Sequence, residues 1–145
     1  MAKPTQEDAH LVIELATLGA QMVHPDARGW IWSEEFVADG AEFFQKYPPG
    51  SENFSLVTSL AAWYETVATL WKRRLVSEEL LFDWIWVSGT WDRLKPILLV
   101  MREQSGTAQL WANFEAMAAA QAEAAGAAAT DRVETASVAT GSPAS

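Results

Sequence analysis

Large apolar residues recur in alternating steps of three and four through residues 54–74: Leu56, Leu60, Trp63 with Tyr64, Val67, and Leu70 with Trp71. That spacing lines up one face of an α-helix. Ser55, Thr58, Glu65, Thr66 and Thr69 fall off the face. The segment is the longest and most aromatic periodic stretch, so it is expected to be the central helix against which the others pack. Ser51 or Asn53 can cap its start. Lys72, Arg73 and Arg74 close it, where positive charge suits the negative end of the helix dipole.

The same pattern predicts the neighbours. Thr5, followed by Glu7 and Asp8, reads as the N-cap of a first helix with Leu11, Val12, Leu15, Leu18 and Met22 on its apolar side. His24-Pro25 ends it, because proline disfavours helical geometry at the residue before it. Arg28 to Trp32 reads as an aromatic connector. Ser33, with Glu34 and Glu35 behind it, reads as the cap of a second helix carrying Phe36, Val37, Phe43 and Phe44, weakened by about 1 kcal/mol at Gly40. Tyr47-Pro48-Pro49-Gly50 stops it. Ser77-Glu78-Glu79 repeats the capping pattern ahead of Leu80, Leu81, Trp84, Val87, Trp91, Leu94, Leu98 and Met101. Residues 80–103 are expected to form one long helix bent between Ser88 and Pro96; two helices, with Thr90 as a fresh cap, is the alternative. Ser105-Gly106-Thr107 is a turn, and Thr107 is expected to cap a last helix bearing Leu110, Trp111, Phe114, Met117 and Ala118.

These elements predict an all-α domain, a compact bundle of five or six helices over residues 5–120. The Ala-rich stretch 121–145 is small, polar and nearly free of large apolar groups. Its first part can extend the last helix; the rest cannot bury enough surface to offset chain entropy and is expected to be disordered. The 145 residues allow one core.

The net charge of −9 is spread along the chain, which opposes a broad nucleic-acid interface. The absence of Cys removes disulfides, thiolate chemistry and Cys-rich zinc sites, and fits a cytoplasmic location. No signal peptide is visible, and the stretch 11–23 is too short to span a bilayer and is broken by Glu14.

Reactive groups are sparse. Glu7-x-x-His10 has the spacing of carboxylate-bridged di-iron bundles, but Gln21 stands where a second Glu would precede His24. Glu35, Asp39 and Glu42 line one side of the expected second helix and suit a solvated face as well as a divalent cation. No nucleophile elbow, Walker loop or dinucleotide glycine pattern is present. No catalytic residue, cofactor or metal is expected. The unusual feature is eight Trp, several in close pairs: Trp30 and Trp32, Trp63 beside Tyr64, Trp84 and Trp86. Adjacent or i, i+2 positions of a helix point to different sides, so some of these rings must stand at a boundary or meet a partner.

Trp63-Tyr64-Glu65, Leu70-x-Lys72-Arg73-x-Leu75-Val76, Ser77-Glu78-Glu79-Leu80, Trp91-x-x-Leu94-Lys95-Pro96, Met101-Arg102 and Trp111-x-Asn113-Phe114-Glu115 stand in this order. Together, from about Trp32 to Ala118, they resemble a bacterial family of small all-helical domains of unknown function. The resemblance implies the helical fold and no catalytic residues. Some members of that family look membrane-anchored through an apolar first helix; His10 and Glu14 depart from that. Glu65, Arg102 and Glu115 are the charged members of the motifs, and Glu65 or Glu115 is expected to pair with Arg102 and lock the central helix to the later ones.

The expectation for function is a non-enzymatic interaction module acting through an aromatic patch drawn from Trp30, Trp32, Trp63, Trp84 and Trp86, with a protein partner or a second copy of the chain. Two alternatives stand beside it. One is a small-molecule binder or enzyme with a Trp-lined cavity between the central and bent helices. The other is a peripheral membrane protein, disfavoured on anionic lipid by the acidic balance.

Overall fold

The structure is a computed structural model that describes residues 3–140, with side chains placed through residue 136. Seven helices and no strand are found among the described residues. They are α1 (Gln6–Met22), α2 (Ala27–Ile31), α3 (Gly40–Lys46), α4 (Glu52–Lys72), α5 (Glu78–Trp84), α6 (Val87–Ser105) and α7 (Ala112–Thr140). None is long and apolar enough to cross a membrane.

The central helix is α4. Ser51 caps it through the Phe54 amide, and it buries Leu56, Val57, Leu60, Ala61, Trp63, Tyr64, Val67 and Ala68. This is the face that the three-and-four spacing predicts, except that Leu70 and Trp71 lie at its half-buried edge. α1 and α2 pack on one side of α4 and α7 on another, while α6 is held between α3 and α7. Thr5 and Asp8 form a reciprocal capping box at the start of α1: the Asp8 amide donates to the Thr5 hydroxyl, and the Asp8 carboxylate accepts from the Thr5 amide at 2.8 Å. α4 ends in a left-handed turn at Arg74 (φ 60°), where the Leu75 amide reaches back to the Leu70 carbonyl. Glycine usually fills that position; a side chain there costs on the order of 1 kcal/mol.

Four expectations are corrected. The aromatic connector contains a helix, α2, because Ala27 and Ile31, four apart, both reach the core and wind the segment to do so. Ser33 caps nothing: its hydroxyl donates to the Trp30 carbonyl, and the second predicted helix starts later, capped by the Asp39 carboxylate on the Glu42 amide. Phe36 thus reaches the core from a loop. Residues 80–103 are not one bent helix. They divide at Ile85 and Trp86, ahead of the expected bend, with Ser88, Gly89 and Thr90 in the first turn of α6 and Pro96 in its interior. The alternative of two helices is therefore the right one, but with a different break. Finally, Thr107 lies in a turn, and α7 begins only after Trp111, which takes a left-handed φ of 64°.

The break at Ile85 and Trp86 has a cause far away in sequence. Gln121 of α7 is buried, and its side-chain amide donates to the Ile85 carbonyl at 2.8 Å while its oxygen accepts from the Ser88 amide at 2.8 Å. One side chain thus satisfies backbone groups at the end of α5 and the start of α6, groups that a helix end leaves unpaired. Beyond it, every residue from 122 to 136 is exposed, as expected of a stretch that adds nothing to the core. The helical winding there follows the local preference of Ala. Residues 141–145 lie outside the described residues.

Gly40 does not weaken a helix middle. It opens α3 against α6, where a Cβ would fall 2.5 Å from the Pro96 carbonyl oxygen and 2.6 Å from Val100 Cγ2. Gly40→Ala is expected to lower stability by about 1–3 kcal/mol through overpacking. An exposed substitution such as Gly29→Ala, with nothing within 4 Å, provides the thermal-denaturation control; equal effects at the two positions would refute the account.

Candidate functional site

The aromatic pairs separate into core and surface. Trp63 is buried in α4, and its indole donates to the Leu15 carbonyl of α1 at 2.9 Å. It reaches that backbone because Gly19 has no side chain; a Cβ there would lie 2.9 Å from Trp63 Nε1. Trp30 is half-buried, edge-on to Phe36 and Tyr47 at 5.2 and 5.5 Å between ring centroids. Trp32, Trp84 and Trp86 remain 47%, 36% and 63% exposed. Of the five aromatics named from the sequence, three therefore stand at the surface.

The exposed rings are not loose. Trp32 and Trp86 stack with centroids 5.4 Å apart and planes 8° apart. The Arg93 guanidinium lies 5.7 Å from the Trp32 ring centroid and 4.6 Å from that of Phe36, and its nitrogens donate to the carbonyls of Ile31 and Ser33 at the end of α2. Trp86 folds back over Gly89, where a Cβ would come within 2.1–2.4 Å of the indole. The bare glycine provides the seat for the ring.

Behind this pair is a recess of about 420 Å³. α1 gives it a low floor of Ala16, Gly19 and Ala20. Trp63 and Tyr64 of α4 form one wall, and Trp84, Ile85 and Trp86 at the α5–α6 junction the other. Arg28 of α2 stands at its exposed rim, 5.3 Å from the Trp63 ring centroid. Thr90 spends its hydroxyl proton on the Trp86 carbonyl at 2.7 Å, so Tyr64 is the donor in its 3.3 Å contact with Thr90. Burial pushes the Tyr64 phenol above its ordinary pKa, against smaller opposing effects of the Thr90 hydrogen bond and the Arg28 charge, so the ring stays neutral. The lining offers the exposed indoles of Trp84 and Trp86, shape and one cation; among the described residues it includes no carboxylate, histidine or thiol.

The motif charges meet at the start of α7. The Glu65 carboxylate, from α4, accepts the Asn113 amide at 2.8 Å and the Phe114 amide at 3.3 Å. Arg102 donates through Nε to the Leu110 carbonyl at 2.8 Å, and its Nη1 lies 3.1 Å from Glu115 Oε1. Arg102 thus sits with Glu115, while Glu65 acts as a cap supplied from another helix. Arg102 Nη2 and Trp111 Nε1 are buried and have no hydrogen-bond partner among the described residues.

The other titratable groups do not converge on the recess. Glu7 and His10 are exposed on α1, and Asp39 is taken up as the α3 cap, so the predicted acidic row of Glu35, Asp39 and Glu42 is not a helix face. A group not foreseen is His24, Asp26 and Glu52, whose ligand atoms lie within 4.8 Å of one another. His24 Nδ1 already accepts the Asp26 amide at 3.1 Å. A metal on Nε2 favours a protonated Nδ1 that donates, so this arrangement does not suit one.

Arg28, Gly89, Arg93 and Gln121 were not singled out as site residues. Gly89 had a sequence signal, in Ser88-Gly89-Thr90, but it read as a break. The others have partners some 30 to 60 residues away, beyond the reach of local pattern.

Fold and surface together define a small all-α domain with an aromatic recess and a capped, charge-locked last helix. The chain belongs to the family described as a domain of unknown function (DUF4760), whose model matches residues 4–121. Neither curated proteins nor solved structures give a match.

Glu65→Ala leaves two α7 amides without their acceptor and is expected to lower stability by about 1–3 kcal/mol. Glu65→Gln keeps an acceptor and is expected to cost less. Burial raises the Glu65 pKa above its ordinary value, more than its amide hydrogen bonds and the charges of Lys72 and Arg102 lower it. The folded state therefore binds this proton more tightly than the unfolded chain does. Stability of the natural protein relative to Glu65→Gln should rise as pH falls through the raised folded pKa, and level off below the ordinary glutamate value. Urea titrations across that range check the slope; the opposite sign would refute burial as the dominant effect. Arg102→Ala removes the Leu110 bond and the half-exposed Glu115 contact, with an expected loss of about 1–3 kcal/mol, chiefly from the hydrogen bond; an unchanged melting temperature would refute it.

Proposed function

We propose that this domain is a non-enzymatic interaction module whose contact surface is the aromatic patch of Trp32, Trp84 and Trp86. The observation that carries the reading is the stacked Trp32–Trp86 pair, exposed yet held by Gly89 and Arg93. Rings already fixed in place lose little freedom on binding, and Trp is the residue type most enriched among those that dominate interface energies. Elsewhere the core is closed over one cluster of buried side chains. The excess of acidic residues disfavours a nucleic-acid partner.

A photoreactive phenylalanine analogue placed at Trp86, and separately at exposed Ile13 as a control, tests this in the cells that make the protein. The expected result is a discrete protein adduct from position 86 alone, weakened by Trp32→Ser. An adduct of twice the chain mass identifies a second copy; another mass identifies a different protein. No adduct, or the same adducts from both positions, would overturn the reading.

A further inference from the structure

The recess behind the aromatic pair has a chemistry of its own. Its volume of about 420 Å³ falls within the range of small-molecule sites, and its floor is shallow because α1 presents Ala16, Gly19 and Ala20 there. The rings with exposed surface on its walls are the indoles of Trp84 and Trp86, against which a flat ring system would stack.

Charge narrows the ligand further. Arg93 and Arg102 commit guanidinium nitrogens to backbone carbonyls. Arg28, by contrast, donates to no oxygen among the described residues and has no carboxylate within 4.0 Å, in a chain with 19 acidic and 10 basic residues. Its contact is with the face of Trp63, which sets the guanidinium at the rim of the recess. A guanidinium so placed presents a planar fork that matches a carboxylate with two parallel hydrogen bonds. Tyr64 is already committed to Thr90, and no second cation lines the recess among the described residues, so one negative charge is what the site can balance.

We propose that this recess binds a small organic monoanion, a carboxylate joined to a flat apolar ring system, with the carboxylate on Arg28 and the rings against the exposed indoles of Trp84 and Trp86. This does not rest on Trp32 and Trp86 docking another protein. A purified chain and a small molecule decide it, so either idea can fail without the other.

The probes are 2-naphthoate and its neutral isostere 2-naphthamide, titrated into the full chain at neutral pH. Binding is followed by calorimetry and by the indole N–H signals of the eight Trp, assigned through single Trp→Phe variants. Saturable shifts are expected at Trp84 and Trp86 and not at Trp71 or Trp111. Naphthoate is expected to bind about tenfold more tightly than naphthamide, the difference between a charged and a neutral hydrogen-bonding partner. Arg28→Gln should abolish that preference, Arg28→Lys should retain part of it, and Ala20→Leu, which fills the floor, should weaken both probes while leaving Arg28 in place. Unchanged melting temperatures show that the variants fold. No saturable shift, shifts centred on other indoles, equal affinity for the two probes, or a preference that survives Arg28→Gln would each overturn the proposal.

Discussion

The Asn113 and Phe114 amides in the first turn of α7 have no preceding carbonyl to accept them, and Glu65, on the middle of α4, meets both. An N-terminal helix end attracts negative charge, and a carboxylate that accepts backbone N–H groups there stabilises it by about 1 kcal/mol or more. The contact does more than satisfy donors. It fixes where α7 begins along α4, and hence which of its side chains reach the core: Phe114, Met117, Ala118 and Gln121. Phe114 then stacks on Tyr64 with centroids 4.8 Å apart and planes 9° apart, and it meets Trp91 of α6 edge-on at 5.1 Å. Arg102 holds the turn that leads into α7 through the Leu110 carbonyl, so the helix is tied to α4 and to α6 within its first turn.

With α7 placed, Gln121 arrives opposite the junction of α5 and α6 and supplies what both helix ends lack. The junction in turn throws Trp84 and Trp86 outward and makes the wall of the recess. A carboxylate on the central helix therefore governs, through the register of the last helix, the shape of the recess wall. Each link is a helix end completed by a side chain from a different helix. This is why the break at Ile85 and Trp86 is stable without proline, glycine or a local cap at those two positions.

Much of the framework was legible in the chain. The period of α4, the cap at Thr5, the cap at Ser77 and the glycine turn at Gly106 are local signals, and each is found where the sequence places it. The misplaced boundaries share one physical cause. Ser33 and Thr107 look like caps, but α3 starts from Asp39, six residues after Ser33, and α7 is capped by Glu65 from another helix; no local rule ranks such candidates against one another. The aromatic pairs announced that some rings must be at the surface; which ones depended on Gly19 and Gly89, whose missing side chains seat the indoles of Trp63 and Trp86. Arg28 carried no pattern, because a lone basic residue in a connector acquires meaning only when a ring lies beneath it.

Gln121 also marks where the fold stops caring about sequence. The family match ends at that residue, and the exposed run begins immediately after it. A polar residue held by contacts to the α5–α6 junction thus opens what looks like a bland alanine tract. Residues 122–135 are all exposed, so changes of composition there carry little energetic consequence. A shortening by one residue more would unpin a wall some thirty residues upstream, so the working edge of the domain is set by an amide and not by the end of its hydrophobic pattern.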